Sequence, residues 1–219
     1  MTRPLPTLEL LGVPFVPLDI AGALAEVERL VEREEPGFVV HANVHTVNLA
    51  TADPRYREVL RRADLVLNDG KGVMLGARIK GAGFPTDLNG NVFTPLLLER
   101  AAERGWSVFF FGAKPGVAER AAEVVRESIP GLDVAGTRNG YFSPGEEEAV
   151  AADIRAASPD LLLVGLGNPR QEEWLDRHLA STGARLGVGV GAFFDFQTGE
   201  VKRAPEWMRR YGLEWVHRL

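Results

Sequence analysis

The sequence contains no cysteine. That excludes disulfides, thiolate metal sites and a cysteine nucleophile, and it fits a reducing cytoplasm. No uninterrupted apolar run approaches the roughly 20 residues needed to span a bilayer. Met1-Thr2-Arg3-Pro4 leads into folded-looking sequence with no apolar signal segment. Positive charge is not in excess either. Against 30 Asp and Glu stand 25 Lys and Arg, a net charge of -5, which argues against general nucleic-acid binding. Several catalytic signatures are also missing. There is no G-x-S-x-G elbow, no P-loop and no Asp-x-Asp metal pair. The dinucleotide fingerprint fails after Gly165-Leu166-Gly167, because Arg170 occupies the place of the third glycine and no acid follows at the expected distance.

What remains is an α/β pattern. With 45% hydrophobic content, 219 residues can bury one large core or two closely joined halves. Leu8 to Val16, broken by Gly12 and Pro14, predicts a short hairpin. Asp19 is placed to cap a helix reaching Arg33. Strands are expected at Phe38–Val40 and Leu65–Leu67, with helices around Val47–Ala52, Pro54–Ala63 and Val73–Ile79. Past the glycine-rich Gly81–Asn91 loop the alternation becomes regular. Helices are expected over Thr94–Arg104, Val117–Ser128, from Ser143 or Pro144 to Ala157, and over Pro169–Ala180. Strands are expected at Ser107–Phe111, Asp133–Thr137, Leu161–Val164 and Ala184–Val190. From Ser107 onward this reads as a right-handed parallel sheet.

The chain is organised around Pro159 to Trp174. A buried apolar strand meets Gly165 and Gly167, Asn168 suits an N-cap, Pro169 suits the first helical position, and Glu172 and Glu173 fall in the positive first turn. A strand, a tight glycine turn and a helix N-terminus make a natural anion or nucleotide site, with Arg170 and Gln171 in reach of a ligand. Taken alone, it is also an ordinary capped βα turn.

Other strand ends carry similar polar residues: His41 and Asn43, Asp69 with Gly70, Lys114, and Asp195. Asp69 fits a general base whose pKa is raised by partial burial, although on local sequence alone Asn68-Asp69-Gly70 fits a common Asp-Gly turn better. His41 and His45 straddle a strand end without a third ligand, so they read as polar lining rather than a metal pair. Asp195 suits either sugar hydroxyls or a turn cap. At this level a nicotinamide-dependent oxidoreductase and a non-catalytic nucleotide-sugar-binding protein both stay open.

Together these stretches resemble the WecG/TagA/CpsF glycosyltransferases. The matching segments are Asn43-Val44-His45, Asp69-Gly70-x-Gly72-Val73, Leu88-Asn89-Gly90, Phe111-Gly112-Ala113, Gly165 to Glu172, and Gly191 to Asp195. The most specific run is Gly199 to Met208, continuing as Gly212-Leu213-Glu214-Trp215. The resemblance implies one glycosyltransferase domain over the whole chain, with a seam at most in the Gly81–Asn91 loop. Its expected architecture is a Rossmann-like parallel sheet flanked by helices (GT-E type), behind the small N-terminal β-hairpin. It also implies an inverting transfer of an N-acetylmannosamine-type sugar from a UDP donor to a polyprenyl-diphosphate-linked N-acetylglucosamine, in cell-wall or surface-polysaccharide synthesis, without a cofactor or metal. Asp69 would be the base. His41, Asn43, Gly70, Asn89, Lys114, Gly167, Asn168, Pro169, Arg170, Gln171, Asp195 and Arg203 would bind substrate.

Two positions depart from the family pattern. His41 stands where many relatives carry a hydroxyl residue, and Val92 replaces a carboxylate in the run Gly90-Asn91-Val92-Phe93. The sugar environment is therefore expected to differ. Trp207, Met208, Tyr211, Trp215 and Leu219 among Arg209, Arg210, His217 and Arg218 fit either a docked amphipathic helix or a membrane-facing segment. The expected location is cytoplasmic, peripheral to the inner face of a bacterial membrane. Relatives continue past the equivalent of Leu219 with more arginines, so a chain ending there is expected to bind UDP but turn over poorly. An apolar surface left exposed by that ending would favour a homo-oligomer.

Overall fold

The computed structural model describes residues 5–200. The chain opens with an antiparallel hairpin, β1 (Leu8–Leu10) and β2 (Val13–Phe15). Helix α1 (Ile20–Val31) starts where Asp19 accepts the Gly22 N–H at 2.7 Å, and it buries Ala23, Val27, Leu30 and Val31 at the three-four spacing of an amphipathic helix. There follow β3 (Gly37–Ala42), α2 (Val44–Ala52), α3 (Pro54–Arg62), β4 (Leu65–Asn68), α4 (Lys71–Ile79) and α5 (Gly90–Arg104). The second half runs β5 (Ser107–Gly112), α6 (Val117–Ser128), β6 (Asp133–Arg138), α7 (Glu147–Ala157), β7 (Leu161–Gly165), α8 (Arg170–Thr182), β8 (Leu186–Gly189) and α9 (Phe193–Gln197).

Six strands form one sheet in the order β4-β3-β8-β7-β5-β6, and every neighbouring pair is parallel. Strands from both sides of the Gly81–Asn91 loop share this sheet. Both faces are covered over the inner strands, which read as largely apolar runs, whereas the edge strand β6 is only partly buried and mixed in sequence. Alternate residues enter opposite cores: Leu161 and Leu163 pack with α1, α5 and α6, while Leu162 and Val164 pack with α3, α7 and α8. Truncating Leu163, which is wholly buried, to alanine would cost about 2–5 kcal/mol.

Several element starts differ from the sequence reading. Helix α2 begins earlier, at Val44, because Asn43 and Thr46 form a reciprocal capping box. Helix α5 begins at Gly90 with Asn89 as its cap, which places Pro95 inside the helix. Helix α7 begins only at Glu147, because Gly145 sits at φ 93° and the Glu146 and Glu147 carboxylates take the N–H groups of Ser143 and Gly145. Asn168 does not cap α8. Pro169 holds that place, following a cis peptide bond, and the Asn168 amide turns inward to the Glu172 carboxylate at 2.9 Å.

Candidate active site

Parallel strands deliver their carboxyl ends to one edge of the sheet, where α/β proteins bind ligands. The β3–β4 register sets Ala42 opposite Asn68, so Asn43 and Asp69 leave the sheet side by side. The Asp69 N–H donates to the Ala42 carbonyl at 3.0 Å. Its half-buried carboxylate accepts from Asn89 Nδ2 at 2.6 Å on Oδ1 and from Asn43 Nδ2 at 3.4 Å on Oδ2. Each asparagine uses the other end of its amide to cap a helix. Asn43 Oδ1 accepts from Thr46 N at 3.1 Å, and Asn89 Oδ1 accepts from Asn91 N at 3.0 Å. Capping fixes which end is oxygen, so the nitrogens are left pointing at Asp69.

The glycine-rich loop before α5, residues 81–89, is pinned against this strand end. Asn68 Nδ2 donates to the Thr86 carbonyl at 2.9 Å, and the Gly70 N–H donates to Asp87 Oδ1 at 2.8 Å. Burial raises the pKa of Asp87, and the Gly70 N–H opposes that shift. His41 Nδ1 meets the Leu88 carbonyl at 3.0 Å, which makes it the protonated ring nitrogen. The ring is almost wholly buried against Phe93, and burial drives its pKa down to about 4. His41 is therefore a neutral packing group that supports the loop. Gly90 packs beside it, and a Cβ there would lie at ordinary contact distance, 3.5 Å from the ring.

A second group surrounds an open cleft of about 410 Å³ over the ends of β5, β7 and β8. Lys114, Gly167, Arg170 and Asp195 line it, with Tyr141 and Leu166. The Arg170 guanidinium lies 4.4 Å over the Phe142 ring, a cation–π contact that aims it across the mouth. Burial raises the pKa of Asp195, Glu200 adds to the rise, and Lys114 opposes it. The cleft thus holds exposed cations together with a carboxylate. Such a cleft suits a ligand bearing both phosphates and hydroxyls.

Gln171 lies between the two groups and is buried. Its Oε1 accepts from Gly191 N at 3.1 Å and its Nε2 donates to Glu172 Oε1 at 2.7 Å. Glu172 is fully buried and also accepts from Asn168 Nδ2 at 2.9 Å and from Tyr56 OH at 3.0 Å. Burial raises its pKa to about 7, against the pull of those donors. Asn168 Nδ2 also reaches Thr46 Oγ1 at 3.4 Å. A chain of polar contacts therefore runs from Asp69 through Asn43, Thr46 and Asn168 to Glu172.

Asn43, Asp69, Gly70 and Asn89 thus come together at β3 and β4, and Lys114, Gly167, Arg170 and Asp195 at β5 to β8. Asn168, Pro169 and Gln171 form the turn between them, and His41 lies beneath. Arg203 and the aromatic–basic stretch Glu206 to Leu219 lie outside the described residues. Sequence reasoning missed Tyr56, Asp87, Tyr141 and the buried role of Glu172. Glu172 sits in the singled-out stretch but reads locally as a helix-dipole partner. Among the described residues, no cluster of three or more His, Asp or Glu side chains is arranged to hold a metal ion.

Comparison with known proteins identifies the family. The model of the glycosyl transferase WecG/TagA/CpsF family matches residues 8–219. A Bacillus spizizenii protein named N-acetylglucosaminyldiphosphoundecaprenol N-acetyl-beta-D-mannosaminyltransferase is 32% identical over 219 residues, covering 100% of this chain and 82% of the relative. A Bacillus subtilis protein of the same name is 29% identical, covering 95% of this chain and 81% of the relative. One from Staphylococcus aureus is 28% identical, covering 96% of this chain and 83% of the relative. The chain belongs to the WecG/TagA/CpsF family of glycosyltransferases.

Proposed function

We propose that this chain transfers N-acetylmannosamine from a UDP donor to N-acetylglucosamine carried on a polyprenyl diphosphate, in the synthesis of a cell-wall polymer. The relatives' names supply the sugar and the lipid-linked acceptor. One observation in this chain carries the reading: Asp69 stands at the carboxyl edge of the sheet, held by two amide donors, on the same edge as a cation-lined cleft.

The chemistry is a single displacement. The acceptor hydroxyl oxygen attacks the anomeric carbon as the bond to the UDP diphosphate breaks, and UDP leaves with the electron pair. Asp69 takes the hydroxyl proton. One base opposite the leaving group inverts the anomeric configuration. Arg170 and Lys114, which line the cleft, would offset the charge gathering on the diphosphate, with help from the N-terminus of α8. Asp195, in the cleft lining, would accept from ribose or sugar hydroxyls.

We further propose that turnover needs no metal, because cationic side chains and backbone dipoles serve the diphosphate here. The protein would work at the inner face of the membrane, where a polyprenyl-linked acceptor is embedded. Among the described residues no helix is long and apolar enough to cross a membrane. Calorimetric titration with UDP and UDP-N-acetylmannosamine in EDTA, followed by turnover on a short-chain lipid-linked N-acetylglucosamine, tests the reading. Saturable binding and transfer are expected. No UDP binding, or transfer only after a divalent cation is restored, would overturn it.

A further inference from the structure

Helix α4 leaves the Asp69 site directly, starting one residue after Gly70. It carries two apolar stripes. Val73 and Ala77, one turn apart, are buried, as expected for a helix packed on the sheet. Leu75 and Ile79 form a second such pair on the outward side, 58% and 79% exposed. Packing does not account for the second stripe. It continues toward the site through Val44, which is 47% exposed at the start of α2. Val44 abuts α4 so closely that a Cβ on Gly72 would fall 2.5 Å from its Cγ2.

The charged positions of α4 and its C-cap are all cationic. Lys71, Arg78 and Lys80 all lie on the outside, and the sequence has no Asp or Glu between Gly70 and Thr86. In a chain of net charge -5, this face has the opposite sign to the whole. Apolar residues flanked by lysine and arginine suit a surface that is oily within and anionic at its rim.

We propose that the outward face of α4, with Val44, is a docking surface for an anionic lipid bilayer. It shares no residue with the aromatic–basic stretch Glu206 to Leu219, which lies outside the described residues. A second copy of the chain fits less well, because a two-fold contact would set this cationic face against itself. Seated on the bilayer, α4 would bring the mouth beside Asp69 to the level of the lipid headgroups. The inference rests on the proposed function only for that consequence.

The test is co-sedimentation of the full chain with phosphatidylcholine vesicles, with and without phosphatidylglycerol. Wild type is expected to bind the anionic vesicles more tightly, with affinity falling as salt is added. The Leu75→Glu/Ile79→Glu variant, altered only at exposed positions, should bind them about tenfold more weakly or worse. Arg78→Glu/Lys80→Glu should lose a similar factor. UDP binding and turnover on a water-soluble short-chain acceptor should not change. Equal sedimentation of variants and wild type would overturn the proposal, as would equal binding to neutral vesicles. A variant that breaks a dimer yet still binds vesicles would assign the face to a second copy instead. Failure of UDP binding would strike the proposed function and leave the vesicle result standing.

Discussion

Asn89 caps helix α5 with its side-chain oxygen, and with the nitrogen of the same amide it donates to Asp69 Oδ1 at 2.6 Å. The relationship is sensitive to a change of one atom. Asn89→Asp keeps the cap but sets a second carboxylate against Asp69. Two carboxylates so close resist joint ionisation, so one must titrate at higher pH. We expect the acid limb of the kcat/KM profile to move up in pH and kcat at neutral pH to fall, with UDP affinity held. Asp69→Asn should lower kcat about 10²- to 10⁴-fold at all pH values, again with UDP affinity held. Turnover left intact in the second variant would remove Asp69 from its role.

Arg170 owes its aim to the Phe142 ring beneath it. Arg170→Ala should weaken UDP binding about tenfold, the effect of losing one charge-assisted contact. Arg170→Lys should recover only part of that, because an ammonium lacks the planar face that stacks on the ring. Calorimetry on both variants and on Phe142→Leu checks the argument. Full recovery by lysine would show that charge alone matters.

Two glycines at the cleft separate backbone contact from open space. A Cβ on Gly112 would meet the Gly165 carbonyl oxygen at 2.3 Å, at a φ of 140°, and neither strand can move without breaking the sheet. Gly112→Ala should cost about 3 kcal/mol or more, or prevent folding. At Gly167, with φ 76°, nothing lies within 4 Å of such an atom. Gly167→Ala should therefore cost only the backbone strain, about 1–2 kcal/mol. Urea unfolding of the two variants gives the comparison.

Most of the sheet was legible because its strands other than the edge strand β6 are buried on both faces and so read as apolar runs ending in glycine or a polar residue. Leu161 to Gly167 and Leu65 to Gly70 show this plainly, and both lead to the candidate site. What depends on distant partners was not legible. Glu172 sits in a helix first turn, yet a hydroxyl 116 residues away, on Tyr56, shares its burial. Asn168 has the residue type and position of a cap but answers to that same carboxylate. Asn89 looks like part of a glycine-rich loop until the fold carries it to Asp69. Local spacing reports periodicity and turn chemistry; it does not report which polar side chains a fold buries together.

Glu172 and His41 make opposite contributions to the pH dependence of stability. Burial raises Glu172 to about 7, above its unfolded value near 4.5, so the folded state binds more protons in that window. Its contribution is full below pH 4.5 and is lost as pH rises through 7. Burial lowers His41 to about 4 from 6.5, so there the unfolded state binds more protons. Its contribution is full above pH 6.5 and is lost as pH falls through 4. Between pH 5 and 7 each changes stability on the order of 2 kcal/mol, in opposite directions, so the sum is nearly flat. Glu172→Gln removes one side of the balance while keeping size and polarity. Its stability should rise from pH 5 to pH 7, whereas His41→Gln should fall and the double variant should be flat again. Urea midpoints across this range test the cancellation, because a Glu172→Gln slope equal to that of wild type would mean that Glu172 does not titrate there.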